Sequence, residues 1–184
     1  MNNTYCIHTS QLRAAQDRLQ AGDRVLLSGT IFTARDAAHK RLFALLDKGK
    51  ALPLPLKDTV LYYAGPTPAQ QDMAVGACGP TTASRMNAFA PRLLDLGLGA
   101  IIGKGQMSAE VSEALIRNRS CFFAAVGGAG ALIAKCIKRA DVIAFDDLGC
   151  ESIKRLTVEN LPLTVAIDCY GGNLYESGRT AYQN

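Results

Sequence analysis

Short apolar runs that stop at a Gly-, Thr- or Pro-rich turn and give way to a helical segment recur along this chain. Residues 25–27 run into Ser28-Gly29-Thr30, 59–64 into Gly65-Pro66, 100–102 into Gly103-Lys104-Gly105, and 121–126 into a glycine-rich turn at 127–130. Three to six apolar residues bounded by turn signals are the length of a buried strand rather than of a helix. Strands that alternate with helices build an α/β fold. The pattern predicts helices over 10–21 with Ser10 as N-cap, over 33–48 with Thr33 as cap, and over 81–90, 91–96, 108–118 and 130–138. A further strand is expected at 142–145. The end of the chain, 151–177, reads as β-rich, with strands at 153–158, 163–167 and 174–175 and a hairpin turn at Gly171-Gly172-Asn173. These β-rich flanks argue against a simple doubly wound sheet. A mixed sheet with flanking helices is expected instead. No repeat and no boundary divides the chain, so residues 1–184 are expected to form one domain.

Composition narrows the class. Hydrophobic residues make up 48% of the 184, too many for a disordered chain. The longest apolar stretch, 121–134, is interrupted by Gly127, Gly128 and Gly130, so no membrane span is expected. The first ten residues lack a charged-then-apolar leader pattern, and a cytoplasmic protein is the default expectation. Net charge is +4, spread along the chain without a basic cluster interleaved with aromatics. That pattern excludes a nucleic-acid surface and suits an anionic small molecule.

Three cations sit in three of the turns. Arg35 follows Ser28-Gly29-Thr30 and Thr33, Lys104 lies between Gly103 and Gly105, and Arg85 closes Gly79-Pro80-Thr81-Thr82-Ala83-Ser84-Arg85. Arg forks bind carboxylates bidentately and Lys adds a point charge, so together they fit a ligand with two carboxylates. Pro80 suits the first turn of a helix, whose free N–H groups favour an anion. Arg85, four residues after Thr81, would share its helix face, and Thr82 would cap or position. His39, four residues after Arg35, would share that helix face and orient either Arg35 or a carboxylate. A half-buried helix histidine is the alternative. Asp36 either holds Arg35 or occupies a helix's first turn. Asp146-Asp147 reads as a turn or cap, with paired acids as the other option. Gly128 and Gly130 match the first two glycines of a dinucleotide-binding turn, but Ile133 stands at the third. A nucleotide-binding module is therefore a rival from another class.

The segments at 28–42, 62–69, 77–87, 98–108, 122–138 and 158–168, with Gly-Pro-Thr-Thr and Gly-Lys-Gly among them, resemble the β half of the iron–sulfur-dependent class I fumarases. They also resemble the β subunits of L(+)-tartrate dehydratase. The resemblance is collinear over nearly the whole chain. It implies a swivelling β/β/α domain and reversible addition of water to a dicarboxylate double bond, as in fumarate to (S)-malate. The context of 61–68 and 103–107 is closer to fumarase. It implies a 4Fe–4S cluster in the holoenzyme, ligated by an α subunit that this chain lacks, and an oligomer of the αβ unit. It further implies that Arg35, Arg85 and Lys104 hold the substrate carboxylates and that Thr81 is the candidate base. An unaided threonine hydroxyl is a very weak base, so a partner acid is expected to receive the proton. The six cysteines, Cys6, Cys78, Cys121, Cys136, Cys150 and Cys169, lack Cys-x-x-Cys spacing and read as reduced thiols rather than cluster ligands.

Overall fold

The structure, a computed structural model, describes residues 3–69 and 72–180. In chain order the elements are β1 (Thr4–His8), α1 (Leu12–Ala15), β2 (Arg24–Thr33), α2 (Asp36–Leu46), β3 (Val60–Tyr62), α3 (Ala90–Asp95), β4 (Ala100–Gly103), α4 (Ala109–Arg117), β5 (Cys121–Ala124), α5 (Gly130–Cys136), β6 (Ile137–Ala144), β7 (Ile153–Ile167) and α6 (Leu174–Thr180). The architecture is α/β, a mixed sheet with flanking helices.

Strands β1 to β5 are parallel, and β7 runs against them. β7 pairs with β5 through Phe122↔Ile167 and Ala124↔Thr164, and with β2 from Arg24↔Thr164 to Phe32↔Arg155. The pairings β2–β3–β4–β5–β7–β2 therefore close on themselves. β1 adds to β2 outside this circuit, and β6 adds to β7. Successive strand residues feed two different cores, as a side-chain period of two requires. Val60, Tyr62, Ala100, Ile102 and Phe123 pack with α1, α5 and the 75–78 segment. Leu61, Tyr63, Ile101 and Phe122 pack under α2, α3 and α4. With both faces covered, the central strands read as continuous apolar runs.

Several local expectations are corrected. The helix predicted over 10–21 is three short pieces, a 3-10 turn at Thr9–Gln11, α1, and a second 3-10 turn at Gln16–Arg18. His8, not Ser10, caps it, accepting from the Ser10 N–H. Gln16 is fully buried, donating to the Gly99 carbonyl at 3.1 Å and accepting from the Cys121 N–H at 2.6 Å. Those ties to β4 and β5 outweigh helical continuity. Ser28-Gly29-Thr30 is no loop: it lies inside the ten-residue β2 at a register shift between Leu27 and Gly29. Gly29 has φ +115, and a Cβ there would collide with Thr9 Oγ1 and His8 Nε2, so glycine makes this bulge. Ser108 does stand at the N-cap of α4.

Thr33 caps nothing. Its hydroxyl is buried between β2 and β7, donating to the Ser152 carbonyl at 3.4 Å and accepting from the Lys154 N–H at 3.1 Å. Thr33→Val keeps the shape but leaves that N–H without an acceptor. A loss of about 1–3 kcal/mol in unfolding free energy is expected by urea titration.

The strand expected at 142–145 starts at Ile137, because β6 pairs with β7 along its length, and Phe145 leaves it at φ +57. The two strands predicted at 153–158 and 163–167 are one, β7. Leu174 and Tyr175 open α6 instead of forming a strand. The expected hairpin at 171–173 is a turn into that helix, held by the buried Asp168 carboxylate, which accepts from the N–H groups of Ala21, Tyr170 and Gly172.

Candidate functional site

The carboxyl ends of the parallel strands bring the candidate residues to one rim. β2 ends at Thr33, and the Ala34 N–H then bonds Tyr62 O at 3.1 Å, carrying Arg35 onto the rim as the residue before α2. β3 continues through Tyr63, whose N–H bonds Ile102 O at 2.8 Å. The chain then loops away and returns at Pro80, which bridges Ala64. The Thr81 N–H donates to Tyr63 O at 2.7 Å, and the Lys104 N–H donates to Thr81 O at 3.3 Å. Thr82 bridges Lys104, and the Ala83 N–H returns to Lys104 O at 2.8 Å. The Thr81-Thr82 segment thus lies as an extra rung between the ends of β3 and β4. In α/β sheets this edge is where ligands bind.

The helix predicted over 81–90 is not there. A four-residue 3-10 turn, Ala83–Met86, follows Thr82, and α3 begins at Ala90 with Pro91 in its first turn. The N–H groups of Thr81 and Ala83 already serve carbonyls, so the helix-terminus route to an anion site is withdrawn. Thr82 precedes the turn but makes no capping bond. Arg85 reaches the rim from the end of this turn rather than along a shared helix face with Thr81.

The two arginines converge on acids. Arg85 donates through Nε to Asp36 Oδ1 at 2.9 Å and through Nη2 to Asp36 Oδ2. Arg35 Nε lies 3.5 Å from Asp36 Oδ2, and Arg35 Nη2 lies 3.5 Å from Glu151 Oε1. The hydrogen bond from Arg85 is the main reason that the Asp36 carboxyl is held down at about 2. The same bond raises the Arg85 guanidinium above its usual range. Three cations against Asp36 and Glu151 leave one positive charge over on this rim, and Lys104 carries it outside those pairs. The sequence offered no signal for Glu151. Its Oε2 accepts the Ala37 N–H at 2.9 Å, capping α2 from 114 residues away. Asp36 does both things read for it, sitting in the first turn of α2 and holding Arg35.

His39 does not face this rim. It is fully buried, its Nδ1 is 2.9 Å from the Arg35 carbonyl, and its ring lies 5.3 Å from Tyr63 and 5.4 Å from Phe89. The expectation that it contacts a carboxylate is corrected, because no ligand reaches a side chain with no exposed surface. A carbonyl partner requires Nδ1 to carry the proton. Burial pushes the imidazole down to about 4, so it is neutral.

Gly127 and Gly130 serve packing, while Gly128 takes a backbone conformation at φ +83 with nothing near it among the described residues. A Cβ on Gly127 would sit 3.5 Å from Lys104 Cδ, so the lysine stem lies along it. A Cβ on Gly130 would come within 3.0 Å of Gly79 N, and the Gly130 carbonyl accepts the Cys78 N–H at 3.0 Å. Close approach here fixes the strand that delivers Thr81. Asp146 and Asp147 begin a 3-10 turn, and Asp147 is engaged by Arg41, in line with the turn reading.

Among the described residues no three His, Cys, Asp or Glu side chains group as metal ligands. All six cysteines are free, and burial pushes the Cys78 thiol up to about 12 and raises those of Cys121 and Cys169, away from the thiolate form that ligates metal. Among the described residues no helix is long and apolar enough to cross a membrane.

Comparison with known proteins points to one family. The family model described as "Fumarase C-terminus" matches residues 3–178. Fumarate hydratase 2 of Leishmania major is 34% identical over 167 residues, covering 90% of this chain and 29% of that protein. The aerobic class I fumarate hydratase of Salmonella typhimurium is 35% identical, covering 83% of this chain and 27% of its own length. A Methanocaldococcus jannaschii protein named "Putative L(+)-tartrate dehydratase subunit beta" is 38% identical and matches in length, with 86% of this chain and 85% of that protein covered. The chain thus spans less than a third of the two fumarate hydratases.

Proposed function

The chain belongs to the fumarase C-terminus family, and on that premise we propose that it is the β subunit of a two-subunit class I fumarate hydratase. It supplies the carboxylate-binding half of a site that interconverts fumarate and (S)-malate. The observation that supports this reading is that Arg35, Thr81 and Lys104 follow the carboxyl ends of β2, β3 and β4 on one rim, with Arg85 tied to Asp36 beside Arg35. The rest of the longer relatives corresponds, on this reading, to an α subunit that holds the 4Fe–4S cluster. The αβ units assemble further. No ligand for the cluster comes from this chain.

The chain's own part of the reaction follows from charge. In the dehydration direction loss of the C–H proton next to a carboxylate builds negative charge on that carboxylate. Expulsion of hydroxide from the neighbouring carbon then draws that electron pair into the double bond, and the hydroxide leaves as water once protonated. Arg35, Arg85 and Lys104 are fixed before the reaction and stabilise that charge. Thr81 takes the proton at its Oγ1 as its own hydroxyl proton passes to a carboxylate on the α subunit, since the hydroxyl alone is too weak a base. In the hydration direction the same steps run backwards: water supplies the hydroxyl to one carbon and the proton returns to the other through Thr81.

A second reading is the β subunit of L(+)-tartrate dehydratase, and the length match with the Methanocaldococcus jannaschii protein favours it. Malate and tartrate differ by one hydroxyl, which one polar contact can discriminate. Anaerobic co-expression with the α chain, then assay on fumarate, malate and both tartrates, decides between them. Inactivity of the reconstituted enzyme on all four would end both readings. The rival nucleotide module predicts a thermal shift with NAD or ATP, and none is expected.

A further inference from the structure

Two guanidinium groups from different parts of the chain meet on a single carboxylate. Arg35 leaves the end of β2 and Arg85 leaves the Ala83–Met86 turn, fifty residues later. Asp36 accepts both Nε and Nη2 of Arg85 and lies 3.5 Å from Arg35 Nε. Glu151 lies 3.5 Å from the other end of Arg35 while its second oxygen caps α2. We propose that Asp36 is a positioning residue that sets the spacing and orientation of the two guanidinium groups for a dicarboxylate. The inference rests on the dicarboxylate reading of the rim.

Two like charges at this distance repel unless a carboxylate lies between them. Asp36 is rooted in the first turn of α2, where backbone N–H groups favour a negative charge, so its own position is fixed. Arg85 meets it side-on through Nε and Nη2, which leaves Nη1 for a ligand. Stability does not explain the arrangement. The Arg85 and Asp36 side chains are 43% and 33% exposed, and exposed pairs contribute only about 0–1 kcal/mol. What such a pair delivers is preorganisation, which lowers the entropy lost when a ligand binds. The opposite role is that Asp36 occupies the fork and must be displaced by substrate. The two roles predict opposite changes in KM.

The test uses the chain assembled with its α subunit and compares Asp36→Asn, Asp36→Glu and Asp47→Asn. Asp47 pairs with Arg92 on an exposed surface and controls for loss of an ion pair as such. Asp36→Asn is expected to raise KM for the C4 dicarboxylate about tenfold with kcat within about threefold of wild type. Asp36→Glu, which keeps the charge but moves it outward, raises KM by a smaller factor and stands in if Asp36→Asn fails to assemble. Asp47→Asn leaves KM unchanged, and all three variants keep the wild-type thermal midpoint. An unchanged or lowered KM in both Asp36 variants overturns the inference while the enzyme reading stands. A wild-type assembly that turns over no C4 dicarboxylate removes the functional reading and the inference together.

Discussion

Thr81→Ala is expected to cut kcat/KM of the assembled enzyme by about 100- to 10,000-fold, the usual contribution of a positioned proton-transfer group. Its unfolding midpoint should stay where it is. The backbone of Thr81 is held at both ends, by Tyr63 O on its N–H and by the Lys104 N–H on its carbonyl. Alanine keeps both bonds. The half-buried hydroxyl has no hydrogen-bond partner among the described residues, so its removal breaks no internal bond. Thr81→Ser restores the hydroxyl and should recover most of the activity. Turnover near wild type in the alanine variant would remove Thr81 from the reaction. An equal loss in both variants would point to packing rather than chemistry.

Acid should weaken this fold earlier than its carboxylates alone would dictate, and His39 is the reason. Its imidazole titrates at about 4 in the folded chain against 6.5 when exposed. Between those values the unfolded chain binds the extra proton, so stability rises with pH across the window. The contribution is complete above about pH 6.5 and is lost as pH falls towards 4, a total of about 3 kcal/mol. Asp36 acts in a separate window. Its carboxyl lies at about 2 rather than 3.8, so the small stabilisation from this exposed pair is lost only as pH drops below 3.8. Denaturant unfolding at pH 7 and at pH 4.5 should therefore differ for the wild type and differ much less for His39→Gln. Equal pH dependence in the two proteins would show that His39 does not titrate as described.

The sequence carried the strands and turns at β3 to β5 because each of those turns announces itself locally. Gly103 and Gly105 bracket Lys104, and the threonines follow Gly79-Pro80, so these candidate residues could be picked out without knowing the fold. What it did not carry was long-range. Glu151 reaches the first turn of α2 across 114 residues, and no local pattern marks that contact. His39 looked like a partner for a ligand because it is polar and one turn from Arg35. Its burial between Tyr63 and Phe89 depends on elements far away in the chain. The helix read over 81–90 failed for a related reason. Thr82 and Ala83 have a better offer from the edge of β4 than from their own next turn, and tertiary pairing overrides propensity. Gly130 fits a nucleotide-turn pattern because close approach of backbone serves a ligand and a neighbouring segment equally well, and Gly128 fits it because a positive φ also favours glycine.

The circuit of paired strands is completed by β7, whose partner β2 lies about 130 residues earlier in the chain. During synthesis, Arg35 emerges long before Glu151 and the strand that holds it. The rim that carries the cations is therefore finished last, after most of the polypeptide has left the ribosome. A nascent chain halted before residue 150 would carry every cation of the site and still lack the frame that aims them.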